Sequence, residues 1–400
     1  MNRVADDRVP GAAKTGDGSA GEVAKLFFKL GTIAFGGPAA HIAMMRDEMC
    51  VRRRWVSEER FLDLLGAANL IPGPSSTELA IYLGYERAGW KGLILGGVCF
   101  ILPAMVLVLA IACAYVSYGA TPQATWLLYG IKPVIVAIIV QALWGLLKSA
   151  VKGPLLAAAG LFVLCLYLVG FNPVALIFGS GFAVMLSVNG WQLWRRARNT
   201  NAAVALFPAL AASVGQIAET VRVPFSLTAL LVTFLKLGSV VFGSGYVLLA
   251  FLRSDFVYRL GWLSDQQILD AVAVGQFTPG PVFTTATFIG YVVGGVSGAI
   301  LATVGIFLPA FVFVAAVFPL VGMIRRSHWA SGFLDGANVG ALGLIAGVTW
   351  QLGRAALIDG FTVLVAVAAL VLILRFKTNS AWLVLGGGSA GLVFKLLFPT

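Results

Sequence analysis

Charge is scarce in this chain. Only 11% of its 400 residues are Asp, Glu, Lys or Arg, against roughly a quarter in an ordinary soluble domain, which excludes a solvated globular surface. Histidine occurs twice, at His41 and His328, and the four cysteines (Cys50, Cys99, Cys113, Cys165) share no CxxC spacing. That argues against a structural metal site or a disulfide framework. No GxxxxGK[ST] phosphate loop occurs, which excludes a nucleotide-driven pump. The one Asp pair, Asp6–Asp7, lies in the N-terminal tail, so the aspartate-rich metal motifs of a polyprenyl-transferring membrane enzyme are missing. Ten-residue alternating strands are missing too, and with them the pattern of a membrane barrel. The chain is expected to be no enzyme, to need no cofactor or metal, and to have no nucleic-acid partner.

Apolar residues make up 59% of the chain, and they fall in long runs. Leu93–Tyr118, Ala124–Leu147, Leu155–Val169, Ala299–Val321, Gly340–Leu352 and Phe361–Leu374 are continuous apolar blocks, several long enough to cross a ~30 Å hydrocarbon core as helices. The fold class is all-α and polytopic, in a lipid bilayer. The start, "MNRVADDRVPGAAKTGDGSAGE", lacks an apolar core with a cleavage site and reads as a disordered cytoplasmic tail over residues 1–23. The net charge of +11 has two readings: cytoplasmic loops obeying the positive-inside rule, or attraction of an anionic substrate.

A repeat organises the rest. "FFKLGTIAFGG" (27–37) matches "FLKLGSVVFGS" (234–244) at an offset of 207. In that register Lys29 pairs with Lys236, Arg46 with Arg253, Trp55 with Trp262, Ser57 with Ser264, Asp63 with Asp270, and Pro72–Gly73–Pro74 with Pro279–Gly280–Pro281. After a one-residue slip, Pro103 pairs with Pro309 and Gly130 with Gly336. Two homologous halves, 24–190 and 231–400, are thus joined by a linker, 191–230, whose stretch Ala202–Ala218 is a candidate membrane crossing.

Positive charge orients each half. In the first, Lys and Arg fall in "RDEMCVRRRWVSEER", "ERAGWKG", "KSAVKG" and "WRRAR", so three consecutive loops are positive. If every element crossed, positive and non-positive loops would alternate. The two elements carrying "FGGP" and "PGP" therefore enter and leave on one side, as re-entrant hairpins or broken helices. The second half has its positive loops in the complementary places, "MIRRSHW" and "RFKTN", which predicts an inverted repeat with a cytoplasmic N-terminus.

Broken backbone at membrane depth is tolerated only where protein or a polar cavity surrounds it. After each Pro-Gly-Pro a new helix starts with N–H groups that lack intrahelical partners, and such ends attract anions. Ser75, Ser76, Thr77, Thr284 and Thr285 add hydroxyl donors. The predicted substrate site therefore comprises Asn69, Pro72, Gly73, Pro74, Ser75, Ser76, Thr77 and Glu78 in one half. Gln276, Pro279, Gly280, Pro281, Thr284 and Thr285 complete it in the other. The glycine breaks add Gly36, Gly37 and His41, and Gly243, Ser244 and Gly245; Lys29 and Lys236 are candidate counter-charges. Each has a plainer reading: Pro-Gly-Pro as a packing kink, Glu78 as the acid of an S-x-x-E capping box, the lysines as snorkelling residues, and His41 as a structural donor. Arg46 and Arg253 either steer anions or pair with the nearby Glu48 and Asp255. Asp63 and Asp270 either couple protons or open the following helix.

The motifs "FGGPAAH", "NLIPGPSSTELAIYLGY", "FGSGYVLLAFL" and "GQFTPGPVFTTATFIGY" resemble the signatures of both halves of the long-chain chromate ion transporter family. The resemblance runs from about residue 24 to the C-terminus. It implies a prokaryotic inner-membrane carrier that exports chromate and confers chromate resistance, with sulfate as structural analogue, and it leaves a homodimer open. The second half departs from the pattern, with "FGSG" in place of "FGGP".

Overall fold

The structure, a computed structural model, describes residues 18–35, 37–119, 121–197, 224–242, 245–318, 328–376 and 378–398, and every regular element among them is helical. Gly36, Gly243 and Ser244 lie outside the described residues, as do most of the tail and linker with the expected linker crossing.

The first half opens with short helices. α1 (Ala20–Ile33) is 14 residues long and is capped by the Ser19 hydroxyl, and α3 (Glu58–Ala68) has 11 residues and is capped by Ser57. Between them α2 (Gly37–Arg46) runs into a wide π-helical turn over Asp47–Arg52. At 1.5 Å per residue, α1 and α3 reach about 21 and 17 Å, too short to cross a ~30 Å hydrocarbon core. α4 (Ser75–Tyr118) is bent back on itself where Ala88 and Gly89 leave helical geometry, Gly89 at φ 58°. Glycine adopts that left-handed conformation without a Cβ clash. The two arms, 75–87 and 90–118, then pack so closely that the Gly84 and Gly92 backbones touch.

Contacts fix the directions of these elements. The Gly18 N–H donates to the Arg87 carbonyl over 2.9 Å, the Arg87 guanidinium lies 4.8 Å from the Trp55 ring centroid, and Arg60 is ion-paired with Glu86. The start of α1, the turn before α3 and the end of the first α4 arm therefore share one side of the molecule. At depth, His41 touches Ala34, Ser76 and Phe100. Both broken elements enter and return on the same side, as the run of positive loops predicted, and only the second arm of α4 crosses.

The second half repeats this. α8 (Leu227–Val240) is capped by Ser226 and α10 (Asp265–Phe277) by Ser264, the equivalents of Ser19 and Ser57. α9 (Leu248–Leu252) runs into a π-helical turn at Arg253–Arg259. A single 3-10 turn, Val282–Thr284, precedes α11 (Thr285–Val317), which bends back at Gly294 and Gly295. The halves are inverted. Tyr85, beside the start of the crossing arm of α4, packs 4.3 Å from Phe318 at the end of α11, while Tyr115 near the end of α4 packs 5.0 Å from Phe288 in the first arm of α11. The two crossing arms therefore run antiparallel.

Three further helices follow in each half: α5 (Pro122–Ala150), α6 (Pro154–Val169) and α7 (Pro173–Ala197), then α12 (His328–Ala356), α13 (Gly360–Phe376) and α14 (Ser380–Leu397). They are exchanged between halves. α5 packs on α13 and α14, and α12 on α6 and α7. Gly130 of α5 lies against the backbone of Gly387 and Gly391 in α14, the close approach that small residues permit where lipid offers no hydrophobic driving force between helices. Large apolar side chains such as Val106, Phe162, Leu364 and Val367 face outward. Five of the described helices are long and apolar enough to cross a membrane. The protein is a multi-pass membrane protein.

Candidate functional site

The two Pro-Gly-Pro breaks are docked into each other's half. The Gly73 N–H donates to the Val241 carbonyl over 2.8 Å, and the Gly280 N–H donates to the Ala34 carbonyl over 2.9 Å. Val241 and Ala34 are the C-caps of α8 and α1, so each glycine closes the frayed end of the other half's first helix. Both glycines have positive φ, 143° and 91°. A Cβ on Gly280 would lie 2.7 Å from that of Ala104, and one on Gly73 would meet the Glu78 carboxyl. The two glycine N–H groups are thus engaged, whereas the N–H groups expected to attract an anion belong to the helix starts that follow. A helix end cut short at membrane depth leaves carbonyls that lipid cannot satisfy, and the glycines satisfy them.

The first half gathers polar side chains at its break. His41 on α2 is buried, its Nε2 is 3.1 Å from the Ala34 carbonyl and its Nδ1 3.3 Å from the Ser76 hydroxyl. Since a carbonyl only accepts, Nε2 carries the proton, and in the neutral ring Nδ1 accepts from Ser76. Thr77 and Glu78 donate their N–H groups to the Pro74 carbonyl. The Thr77 hydroxyl and both Glu78 carboxyl oxygens are buried with no partner. The capping box, the plainer of the two readings of Glu78, does not form: the helix starts at Ser75 with Pro74 as its N-cap, which puts Glu78 at the fourth helical position instead of the third. Gly37, at φ 78°, opens α2.

The second half is plainer. Position 248, equivalent to His41, is Leu248; position 283, equivalent to Ser76, is Phe283; and Thr285 stands opposite Glu78. Thr284 and Thr285 were expected to offer hydroxyl donors, but they donate to the Pro281 and Val282 carbonyls over 2.8 Å each. At a helix start such hydroxyls bond back to nearby free carbonyls. Gly245, Gln276 and Thr285 line a void of about 10 Å³.

The lysine expectation is also corrected. Lys29 pairs with Glu48 over 2.9 Å and Lys236 with Asp255 over 2.8 Å, at equivalent positions. The Lys29 hydrogen bond holds the Glu48 carboxyl below the usual carboxylate range. Each carboxylate also takes an arginine, Arg53 and Arg259 respectively. These lysines are held by their own half and are not free counter-charges. Arg46 and Arg253 pair with Glu58 and Asp265, again equivalent, and not with Glu48 and Asp255.

Asp270 on α10 receives the Tyr115 hydroxyl over 2.9 Å and pairs with Lys132 over 3.2 Å. Lys132 was missed in the sequence, although a lysine inside the apolar run "WLLYGIKPVIVAIIV" is the signal of a buried partner. Asn69, the C-cap of α3, lines a cleft of about 250 Å³ together with Ser149, Lys152, Asp335 and Asn338.

The sequence profile described as "Chromate transporter" matches residues 21–185 and again 228–392, covering both halves. The chain belongs to the chromate transporter family. It is 33% identical over 379 residues to the chromate transport protein of Cupriavidus metallidurans, covering 94% of this chain and 93% of that one. It is 34% identical over 364 residues to a probable chromate transport protein of Synechococcus elongatus, covering 88% of each. With the chromate transport protein of Pseudomonas aeruginosa it shares 32% identity over 394 residues, 93% of this chain and 91% of the other. No solved structure matches. In this family member the two profile matches coincide with the two inverted halves, so the repeat found by the 207-residue register is the family's own unit.

Proposed function

We propose that the protein is a secondary transporter that exports chromate across the inner membrane of a prokaryote, with the N-terminus and its positive loops in the cytoplasm. The oxyanion passes the Pro-Gly-Pro break of the first half. The observation that carries this reading is the buried Thr77 hydroxyl, unpartnered beside the Ser76–His41 pair at a helix start where the two halves dock. A dianion leaving water must regain donors, and a helix N-terminus with Ser75, Ser76 and Thr77 supplies them. Asn69, three residues before Pro72 in the chain, lines the polar cleft. Two of the relatives are named as chromate transport proteins.

Export needs no nucleotide. Each charge moved across 100 mV is worth about 2.3 kcal/mol. An inside-negative potential of that size thus drives each net negative charge outward by about 2.3 kcal/mol, a gradient of roughly 45-fold per charge.

The test is chromate uptake into everted vesicles under an imposed potential, with sulfate as competitor. Ser76→Ala and Thr77→Val should each weaken apparent affinity about ten- to a hundredfold, since a hydrogen bond to a charged group is worth roughly 1.5–3 kcal/mol. Normal affinity in both variants, normalised to inserted protein, would make the break a packing device only. Sulfate moving in place of chromate would reassign the substrate.

A further inference from the structure

We propose that Glu78 is a proton carrier that travels with the oxyanion, so that each dianion is exported with one proton. This rests on the reading above, that the first-half break is the substrate route. Glu78 is fully buried, and neither of its carboxyl oxygens has a hydrogen-bond partner. Among the described residues no Lys, Arg or His forms an ion pair with it. The neighbouring groups are apolar or neutral: the Gly73 backbone and Ala310 of α11 on one side, and on its own helix Tyr82, buried with an unpartnered hydroxyl. His41 is engaged by Ala34 and Ser76.

The repeat shows that the scaffold does not require this carboxyl. At the equivalent position the second half has Thr285, whose hydroxyl is satisfied within its own turn. The fold is thus built once with a neutral side chain here and once with an acid. An isolated carboxylate at membrane depth is costly and persists only with a partner or as the neutral acid. With the Gly73 backbone against it and no partner on either oxygen, a proton is the partner that fits this buried carboxyl.

The chemistry then couples the two ions. An ionised Glu78, three residues from the Ser75 end of the half-helix, repels a dianion at that end, while the neutral acid does not and can donate a hydrogen bond. Anion and proton are therefore bound together and released together when the break is hydrated on the far side. The charge moved per cycle is that of the dianion less one proton.

The experiment uses the full-length protein in everted vesicles with an entrapped pH dye, at alkaline pH, where chromate itself carries no proton. In wild type, chromate entering the vesicles should acidify the lumen. Whatever its rate, the chromate movement of Glu78→Gln should come without acidification, and its charge per chromate should rise from one to two, read as a steeper dependence of the final gradient on potential. Glu78→Thr, which copies the other half, should behave likewise. Infrared difference spectra of purified wild type and Glu78→Gln supply a readout that does not need transport: the variant should lack a protonated-carboxyl band present in wild type at neutral pH. No such band, unchanged acidification in Glu78→Gln, no acidification in wild type, a properly inserted but inactive Glu78→Gln, or a sodium requirement removed by the substitution would each overturn the proposal. Wild-type vesicles that move no oxyanion would instead remove the reading of the break as a substrate route, and the coupling with it, while the infrared band would still report a protonated Glu78.

Discussion

Gly73 donates its backbone N–H to the carbonyl of Val241, 168 positions later in the chain, over 2.8 Å. The inverted half returns the same bond from Gly280 to Ala34 over 2.9 Å. Each half supplies a donor to the end of the other's first helix, so the Pro-Gly-Pro motifs are first of all the joints by which the halves interlock.

That makes Gly280→Val a stability variant as well as a transport variant. The residue sits at φ 91°, and a Cβ would press on Ala104. Backbone strain of about 1–3 kcal/mol and overpacking of about 1–3 kcal/mol should combine. Thermal unfolding in detergent should show a lower midpoint for Gly280→Val, while Gly261→Ala, also at positive φ but with open space around it, should show a smaller drop. Equal midpoints for wild type and Gly280→Val would mean that the docking contributes nothing.

His41 can be tested against its own repeat. His41→Leu copies the second half, yet it leaves the Ser76 hydroxyl without its nitrogen acceptor and the Ala34 carbonyl with Gly280 alone. The loss should be about 1–3 kcal/mol, the usual cost of leaving a buried polar group unpaired. The double variant His41→Leu/Ser76→Ala should recover part of it, because both partners are then apolar. A double variant as unstable as the sum of the singles would break the link.

Lys29→Arg should be tolerated. The residue makes an ion pair with Glu48 at a half-exposed site, and arginine serves a carboxylate as well as lysine does. Lys29→Ala should destabilise modestly, since Arg53 remains on Glu48. The pH sign follows from the lowered Glu48 carboxyl. A group whose pKa is lower folded than unfolded contributes stability above its unfolded value, and that contribution is lost as pH falls through the folded value. The gap between wild type and Lys29→Ala should therefore close in acid and be full at neutral pH. A gap that widened in acid would contradict the pairing.

The Lys132–Asp270 pair joins a helix of one half to the re-entrant element of the other, and both side chains are mostly buried. Asp270→Asn or Lys132→Met should each cost about 3–5 kcal/mol by leaving a buried charge uncompensated. Lys132→Met/Asp270→Leu should cost less than either single substitution. Equilibrium unfolding of the four proteins gives the coupling directly, and zero coupling would show that the two groups are held separately, Asp270 by Tyr115 and Lys132 by Gln266, whose amide oxygen accepts from it over 2.6 Å.

The sequence by itself determined the solvent, the repeat and the breaks. Long apolar runs admit only helices in lipid, a 207-residue register pairs every break with a twin, and three positive loops in succession require two elements that do not cross. These are properties of composition and order, and they are readable without coordinates. Partner choice was not readable. Which carbonyl Gly73 would meet depends on how α8 of the other half is placed, and nothing near residue 73 specifies Val241. The same holds for Lys29 and Lys236, whose charges pointed towards a substrate until folding brought Glu48 and Asp255, in the π-helical turn after each break, back alongside them. The chemical inequality of the halves has both origins. His41, Ser76 and Glu78 can be seen to face Leu248, Phe283 and Thr285 in the alignment of the repeat, but that His41 and Ser76 are bonded while Glu78 is left without a partner was decided by tertiary packing, because hydrogen bonding is a matter of distance and direction between segments that the chain order leaves free.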